Sequence, residues 1–444
     1  MIFTQFVDDA LGCASYLVGD PRTGEAVVVD PAFAIEQYLE EAVRQGVRIV
    51  RTVETHTHAD HLSGHGRLAL EHGIPVSIHV AAAAEYPHDP LEDGEEIVLG
   101  DVVLRCIHTP GHRPEHCCFA VSDRSRGEDP WIVLTGDSLF VGDAARPDLA
   151  VEARDGAEGL FHSLRRLVEL GDGVEVYPGH VAGSLCGKAM SSKASTTIGF
   201  ERRFNPALAH DDMGLFIAES AGIVTPRPPN MERIVEMNRG PFVGAQPAPT
   251  ELAAPPDGVH VLDVRPIDAF AAGHFPGALN VPVSGTRFST KAAFVLGTRP
   301  VVVSAADERE VEVAVRGLRS VGFLDLVGYL LGSGPEVLDL VSVEQLDGLL
   351  GAGAELIDVR EKDERDTGYI AGSRNIPYRL LALGEADLPR DKPIVTICES
   401  GPRAVIAASI LAAHGFDAHP VVNGGIDSWV AAGKPTVEFR RCGG

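Results

Sequence analysis

Apolar and polar residues come in blocks along the first 245 positions, and glycine-rich turns separate the blocks. Short apolar runs predict buried strands, and apolar residues spaced three and four apart predict amphipathic helices. The predicted strands cover residues 26–31, 47–53, 102–107, 131–135 and 174–177, and the predicted helices cover 35–45 and 159–170. Strands that alternate with helices predict an α/β fold.

The second half of the chain repeats itself. Residues 200–240 are helical and mixed in pattern, and residues 241–256 are rich in proline and alanine, as in a linker. From residue 259 onward, the D-V-R sequence at 263–265 returns at 358–360, and the segment 273–282 returns as 368–377. The sequence therefore predicts two tandem copies of one small α/β domain with parallel strands.

Composition narrows the class of protein. The 444 residues are enough for two to four domains, and 45% hydrophobic with 23% charged residues is typical of globular proteins. A net charge of −25 without a basic run argues against nucleic acid as a partner. The chain shows neither a signal-peptide pattern nor a long apolar run, so we expect a cytoplasmic protein that does not bind membranes. Seven cysteines without a C-x-x-C pair indicate reduced thiols.

The residues with the strongest chemical signal lie in the turn 55–61, directly after a predicted strand. This turn holds His56, His58, Asp60 and His61. Imidazoles and carboxylates at such spacing can converge on a metal ion. Three later strand ends carry further ligand-type residues beside glycine, namely His112, Asp137 and His180. The sequence therefore predicts a metal site where strands end.

The same residues fit two kinds of metal centre. In a two-zinc site, three imidazoles would hold one ion, Asp60, His61 and His180 would hold the other, and Asp137 would bridge them. In a one-iron site, His56, His112 and Asp137 would form a triad of two histidines and one carboxylate that leaves coordination positions open. Ligand identity alone leaves both alternatives open.

A second chemical signal lies in the last copy of the repeat. The apolar strand 394–397 runs into Cys398, and a helix is predicted over 404–414. Loop amides, the helix N-terminus and Arg403 favour a reactive thiolate at Cys398. The alternatives are a packing cysteine and a phosphate-binding loop. In the first copy the corresponding positions are Ala305 and Glu310, so we expect that copy to be a catalytically inert spacer or docking domain.

These motifs resemble two known families. The histidine turn and the three later strand ends resemble the metallo-β-lactamase superfamily, which implies an αβ/βα sandwich over residues 1–245. The repeated D-V-R and G-x-I-x-G-x-x-N-I-P elements, with the C-x-x-G-x-R loop, resemble rhodanese domains. This implies a degenerate rhodanese-like domain over 250–340 and an active rhodanese domain over 341–444.

Taken whole, the chain resembles persulfide dioxygenase–rhodanese fusions, as shown by the segments 136–140, 146–148, 183–188 and 195–199. One departure is Ala145, where the family usually has glycine. The resemblance implies one Fe(II) per chain, held by His56, His112 and Asp137. Four further residues are candidates for a supporting shell or a second metal: His58, Asp60, His61 and His180. Three others are candidates for the substrate site: Arg146, Asp148 and Cys186.

The activity implied by this resemblance is that of a persulfide dioxygenase with thiosulfate sulfurtransferase activity. A low-molecular-weight thiol persulfide and dioxygen would give sulfite, and Cys398 would transfer sulfur in forming or using thiosulfate, as in sulfide and persulfide detoxification. A homo-oligomer is also expected. Two alternatives stay open: a two-zinc thioester hydrolase of glyoxalase II type, and a binding module that senses sulfur.

Overall fold

The computed structural model describes residues 1–8, 10–148, 151–181, 191, 193–220, 226–384 and 387–438. The chain forms two compact units. The first comprises Met1–Gln246 together with Arg319–Gly322, and the second holds the remaining residues from Pro247 onward. None of the described helices is both long and apolar enough to cross a bilayer.

The first sheet of the first unit contains six strands in chain order. Strands β1 to β3 are antiparallel, and β3 to β6 are parallel to one another. The strands are β1 Ile2–Asp8, β2 Cys13–Asp20, β3 Glu25–Val29, β4 Arg48–Val53, β5 Val76–His79 and β6 Asp89–Leu91.

The second sheet also contains six strands, in the order β14-β13-β10-β9-β8-β7. Its strands are β7 Glu96–Val98, β8 Val102–His108, β9 Cys117–Asp123, β10 Ile132–Gly136, β13 Glu175–Pro178 and β14 Thr196–Thr197. A separate hairpin joins β11 Leu139–Phe140 to β12 Asp143–Ala144. Strands β8, β10 and β13 run in the same direction, so their C-terminal ends lie at one edge of the sheet.

Among the described residues, six helices accompany the two sheets: α1 Glu36–Gln45, α2 His65–His72, α3 Ala153–Val168, α4 Ile198–Phe204, α5 Met213–Ser220 and α6 Met231–Arg239. The inner faces of both sheets share one apolar core, which includes Val29 and Leu134. Tyr38 of α1 packs on the outer face of the first sheet, and Leu164 of α3 packs on that of the second. The predicted αβ/βα sandwich is therefore confirmed.

Helix α3 begins at Ala153, six residues before the sequence predicts. Glycine at 156 and 159 disfavours a helix interior, which is why the predicted start was late. A Cβ atom at Gly156 would lie 2.1 Å from the carbonyl oxygen of Pro147. Gly156 thus permits close approach of the helix to the loop after Asp137, and it does not end the helix.

The second unit contains two four-stranded parallel sheets, one from each copy of the repeat. The first copy consists of β15 His260–Asp263, α7 Ile267–Ala272, β16 Leu279–Asn280, α8 Phe288–Leu296, β17 Val301–Ala305, α9 Glu308–Ser320 and β18 Leu326–Leu331. The second consists of α10 Val343–Gly351, β19 Glu355–Asp358, α11 Lys362–Asp366, β20 Arg374–Asn375, α12 Tyr378–Leu381, β21 Ile394–Ile397, α13 Pro402–Ala413, β22 Ala418–Pro420 and α14 Gly425–Ala431.

The repeated motifs form the same buried hydrogen-bond network of Asp, Arg and Asn in both copies, which we call the lock. In the first copy, Nη2 of Arg265 lies 2.5 Å from Oδ2 of Asp263, and Nδ2 of Asn280 donates to the carbonyl oxygens of both residues at 3.1 Å. In the second copy the same bonds join the three equivalent residues, Asp358, Arg360 and Asn375. The lock ties the crossover after the first strand to that strand, which explains why these positions repeat.

Candidate metal centre and cysteine loop

Three ligand-type side chains from different strand ends meet inside the first unit. His56 follows β4, His112 follows β8 and Asp137 follows β10. Oδ2 of Asp137 lies 3.9 Å from Nε2 of His56 and 3.5 Å from Nε2 of His112. The three ligand atoms lie within 4.8 Å of one another, and each residue is at most 1% exposed. The fold therefore brings the predicted triad together.

A hydrogen-bond chain fixes the tautomer of His56. The hydroxyl of Thr55 donates to Oδ2 of Asp30 at 2.8 Å, and its oxygen lies 2.8 Å from Nδ1 of His56. Since the single hydroxyl proton goes to the carboxylate, Nδ1 of His56 must be the donor to Thr55. Nε2 of His56 therefore carries a lone pair, and it faces Asp137.

The tautomer of His112 is fixed by a backbone carbonyl. Nδ1 of His112 lies 3.3 Å from the carbonyl oxygen of Arg146, which can only accept a hydrogen bond. Nδ1 therefore carries the proton, and Nε2 offers a lone pair. The guanidinium of Arg146 donates to both carboxylate oxygens of Asp148 at 2.7 Å. The predicted residues Arg146 and Asp148 thus lie next to the triad, where they hold the segment that orients His112.

Two glycines and His116 position Asp137. The backbone N–H of Asp137 donates to Nε2 of His116 at 2.9 Å, and burial lowers the pKa of His116 to about 3, so this ring is neutral. A Cβ atom at Gly136 would lie 2.8 Å from the same Nε2, and one at Gly179 would lie 2.8 Å from Oδ1 of Asp137. Only glycine at these positions permits the close approach of the strand ends.

The triad fits a metal ion. Within the described residues, Nε2 of His56 and Oδ2 of Asp137 are buried and have no hydrogen-bond partner, which would be costly unless another ligand satisfied them. Burial lowers the pKa of His56 and of His112, so both rings are neutral. Burial would raise the pKa of Asp137, but His180 and His112 lower it well below its usual value. Two neutral imidazoles and one carboxylate suit a divalent cation.

Asp60 and His61 of the histidine turn form a second cluster with His180 around Cys13. Sγ of Cys13 lies 3.2 Å from Nε2 of His180, 3.4 Å from Oδ2 of Asp60 and 3.5 Å from Nδ1 of His61. His180 also contacts Oδ2 of Asp60 at 2.8 Å and Oδ1 of Asp137 at 2.6 Å. In contrast to the triad, these side chains already bond to one another.

His58 forms a third cluster, with two buried acids. Its Nε2 lies 3.1 Å from Oε2 of Glu54 and 3.3 Å from Oδ1 of Asp30. Burial would lower the pKa of His58, but Asp30 and Glu54 raise it well above its usual value, so the ring is an imidazolium. Its Nδ1 is buried without a hydrogen-bond partner in the described part of the chain. A cationic ring is a poor metal ligand.

In the second copy of the repeat, Cys398 lies directly after β21 and is 1% exposed. The N–H of Gly401 donates to its Sγ at 3.1 Å, and Gly401 has a φ of 115°, which favours glycine. Helix α13 then begins with Pro402. On the other side, the N–H of Ile426 donates to the carbonyl oxygen of Cys398 at 2.9 Å. The thiol therefore accepts a hydrogen bond from one loop amide and lies just before a helix N-terminus.

The guanidinium of Arg403, which the sequence predicts to add positive charge beside Cys398, is paired. Its Nη1 lies 2.7 Å from Oε2 of Glu364, and Nη2 lies 3.7 Å from Glu399. Burial would lower the pKa of Arg403, but Glu364 raises it above its usual value. Arg403 is thus fixed in place, with its charge largely balanced.

Family comparisons agree with this arrangement. The metallo-beta-lactamase superfamily model matches residues 8–180, and the rhodanese-like domain model matches residues 248–336 and 342–432. The mitochondrial persulfide dioxygenase ETHE1 of Bos taurus is 32% identical over 197 residues, which cover 44% of this chain and 70% of that protein. The chain belongs to the metallo-β-lactamase superfamily. Two rhodanese-like domains follow its metallo-β-lactamase domain.

Further similarities extend over both parts of this metallo-β-lactamase fusion. The human persulfide dioxygenase ETHE1 is 31% identical over 169 residues, covering 37% of this chain and 63% of that protein. A crystal structure of a metallo-beta-lactamase from Staphylococcus aureus is 28% identical, with a TM-score of 0.69. That similarity covers 74% of this chain and 99% of the Staphylococcus chain. The fusion architecture predicted from sequence is therefore confirmed.

The first rhodanese-like copy closes its own loop with a carboxylate. Strand β17 ends at Ala305, and Oε2 of Glu310 accepts a hydrogen bond of 2.9 Å from the N–H of Ala306. The N–H of Glu310 donates in turn to Oδ1 of Asp307 at 2.9 Å. A carboxylate therefore binds an amide of this loop, whereas in the second copy the N–H of Gly401 donates to a thiol.

Sequence reasoning missed several residues around the metallo-β-lactamase centre. Cys13 lies outside the predicted strands, Asp30 falls within the predicted strand 26–31, and Glu54 directly follows the predicted strand 47–53. His116 lies one residue before the apolar strand β9. Its spacing from His112 was the available signal, since both rings lie on one short loop. Cys186, which the sequence places near the substrate, lies outside the described residues.

Proposed function

We propose that this chain oxidises a low-molecular-weight thiol persulfide to sulfite with one ferrous iron per chain, and that Cys398 carries sulfur in forming or using thiosulfate. Overall, one persulfide, one dioxygen and one water give one thiol and one sulfurous acid, so atoms balance. The proposal places the chain in sulfide and persulfide detoxification. The names of its relatives and its rhodanese-like domains support an enzyme of sulfur metabolism.

The observation that carries the proposal is the difference between the triad and the cluster around Cys13. In the triad, Nε2 of His56 and Oδ2 of Asp137 are buried without hydrogen-bond partners among the described residues. In the other cluster, His180 bonds to Asp60 at 2.8 Å, and the Cys13 thiol lies between the ligand atoms. This contrast supports one metal ion and argues against two.

The chain's own side chains set the charge of the centre. His56 and His112 are neutral and Asp137 is anionic. The hydroxyl of Thr55 and the carbonyl oxygen of Arg146 accept from Nδ1 of the two rings, so that each Nε2 faces inward. Ferrous iron held by two imidazoles and one carboxylate would supply the redox chemistry for oxidation by dioxygen. A two-zinc site would need His58 as a third imidazole, and its pairing with two acids opposes that role.

Sulfur transfer is proposed to occur at Cys398. Its thiolate would attack the outer sulfur of a persulfide, form a new S–S bond and release the thiol, and sulfite would then take that sulfur as thiosulfate. Run in the other direction, the same cysteine would draw sulfur from thiosulfate. The N–H of Gly401 and the start of α13 stabilise negative charge at the sulfur.

The test is anaerobic purification followed by elemental analysis and oxygen-uptake measurement with a thiol persulfide. One iron per chain with persulfide-dependent oxygen uptake is expected, and His112→Ala should lose both. As a matched control, His72→Ala changes an exposed histidine of α2 and should change neither. Two zinc ions per chain with thioester hydrolysis and no oxygen uptake would refute the proposal in favour of a hydrolase.

A further inference from the structure

The first rhodanese-like copy packs against helices α12 and α13 of the second copy, within the same compact unit. The ring of Phe294 on α8 meets the ring of Tyr378 on α12, with centroids 6.3 Å apart and planes at 79°. The N–H of Asn280 donates to Oγ of Ser409 on α13 at 3.1 Å. Helix α13 begins just after the loop that holds Cys398, and α12 packs against α13, so α8 meets a helix pair next to this loop.

Lys291 lies on the same face of α8 as Phe294, one helical turn earlier. It is half-buried. Burial lowers the pKa of Lys291, the charges of Arg403 and Arg287 lower it further, and Cys398 raises it. The ammonium group donates to the carbonyl oxygen of Thr286 at 2.7 Å, which uses one of its three N–H donors. Lys291 therefore lies within electrostatic reach of the second copy's thiol.

Arg287 adds a second positive charge from the same helix end. It precedes α8 with a φ of 56°, a left-handed conformation that favours glycine. Burial raises the pKa of Tyr378 to about 12. The positive charges of Arg403 and Arg287 act in the opposite direction and lower this pKa, so Arg287 is close enough to Tyr378 to affect it. A long basic side chain is thus kept at a strained backbone position that faces the second copy. Such strain is frequent at functional sites.

The Cys398 loop needs positive charge from elsewhere. Within the second copy, the cation next to the Cys398 loop is Arg403. Glu364 pairs with Arg403 at 2.7 Å, and Glu399 lies 3.7 Å from it. Two carboxylates beside one guanidinium leave a net negative charge, which would repel an anionic substrate. Lys291 and Arg287 reverse the sign of that balance.

We propose that the first rhodanese-like copy completes the sulfur-transfer site of the second, with Lys291 and Arg287 forming a positively charged rim that binds sulfur oxyanions such as thiosulfate and sulfite. The proposal rests on sulfur transfer by Cys398. In that step the thiolate attacks the outer sulfur of thiosulfate, one S–S bond forms, and the other breaks with its electron pair leaving on sulfite. A thiolate and a dianion meet in this step, so nearby cations lower its barrier.

Alkylation of Cys398 in the full chain tests the rim without requiring turnover. Iodoacetate is an anion and iodoacetamide is neutral, so the ratio of their rates at the Cys398 peptide, followed by mass spectrometry, reports local charge independently of thiol reactivity. Lys291→Gln and Arg287→Gln should each lower the iodoacetate-to-iodoacetamide ratio by roughly threefold to fivefold, and the double variant by about tenfold. Lys291→Arg should keep the parent ratio.

Arg390→Gln is the matched control. Arg390 donates to the carbonyl oxygen of His414 at the far end of the 12-residue helix α13, about 18 Å from its start. This variant should leave the ratio unchanged. If the double variant melts at the parent temperature and keeps the parent ratio, the rim does not exist. If a glutamine variant does not fold, the parent protein alone gives the test. An iodoacetate-to-iodoacetamide ratio of the parent that does not fall as the salt concentration rises would also show that the rim does not exist.

Kinetics separates this proposal from the proposed function. In a thiosulfate-to-cyanide transfer assay, the double variant should raise the KM for thiosulfate at least fivefold while kcat changes less than twofold. No transfer by the parent would refute sulfur transfer by Cys398, whereas the alkylation ratio would still decide whether the charged rim exists. A fall in kcat alone, with KM and the alkylation ratio unchanged, would overturn the binding role.

Discussion

Nδ1 of His180 lies 2.6 Å from Oδ1 of Asp137. This contact occupies one carboxylate oxygen and leaves Oδ2 facing His56 and His112. Asp137 therefore offers a single oxygen to the candidate metal centre, and its other oxygen is tied to the neighbouring cluster. The two clusters share this carboxylate, but they use different atoms of it.

The Thr55 hydroxyl should control metal affinity through His56. Thr55→Val removes the acceptor that holds the Nδ1 proton, so we expect metal affinity to fall by roughly 10- to 100-fold with little loss of stability. Chelator competition measures this without an activity assay. Thr52→Val is the matched control, because its buried hydroxyl has no partner among the described residues. Equal affinities in the two variants would contradict the tautomer argument.

Substitutions at Cys398 and His112 should separate the two proposed activities. Cys398→Ser keeps the loop but removes the soft nucleophile, so with a thiol persulfide the variant should consume oxygen at the parent rate and release sulfite without thiosulfate. His112→Ala should lose oxygen uptake and keep thiosulfate sulfurtransferase activity. Product analysis by ion chromatography checks both. Loss of oxygen uptake in Cys398→Ser with intact iron content would show that the activities are not divided in this way.

Restoring a thiol to the first rhodanese-like copy should not restore sulfur transfer. In a Cys398→Ser background, Ala305→Cys would place a thiol next to an amide that already binds the carboxylate of Glu310. We therefore expect no detectable thiosulfate-to-cyanide transfer, measured as thiocyanate. Adding Glu310→Ala would free the amide and should speed alkylation of the new thiol by iodoacetate. Turnover by the Ala305→Cys chain would contradict the inert role of this loop.

The carboxylate of Glu41 should contribute stability that depends on pH. A hydrogen bond from Arg44, together with those from Gln45 and Thr4, lowers the pKa of Glu41 from 4.5 to about 2. A lowered pKa in the folded state gives stabilisation that is complete above pH 4.5 and is lost as pH falls toward 2. Glu41→Gln should therefore lower the free energy of unfolding by about 1–2 kcal/mol at pH 7.

Urea unfolding of metal-free protein at pH 7, 4 and 3 measures this difference. The gap between the parent and Glu41→Gln should narrow as pH falls. Glu40→Gln, at a neighbouring exposed position of α1, should show no such gap. A gap that is constant with pH would mean that packing, rather than charge, explains the effect of Glu41.

Much of the candidate metal centre was predictable because its residues lie where strands end. Strand ends can be located from apolar runs, and β8, β10 and β13 share a direction, so His112, Asp137 and His180 had to lie at one edge. Local pattern therefore sufficed to collect these residues. The tandem repeat was equally visible, because its buried Asp–Arg–Asn lock needs the same residues in both copies.

What local pattern could not give was the direction of each side chain. His56 and His58 are two residues apart in one turn, yet Asp30 on the neighbouring strand end holds the first through Thr55 and contacts the second directly. Cys13 reaches His180 from 167 positions away. Such contacts depend on how the sheets pair, and no spacing within a short segment encodes them.

The buried lock formed by Asp263, Arg265 and Asn280 also has a genetic consequence. Although this copy has Ala305 where the second copy has Cys398, its buried ion pair is as intolerant of a missing partner as the equivalent pair in the second copy, since an uncompensated buried charge is strongly destabilising. In a saturation library selected only for sulfur transfer, these three positions should therefore be nearly as depleted of substitutions as their counterparts around Asp358. The copy with Ala305 would then present as large a mutational target as the copy with Cys398.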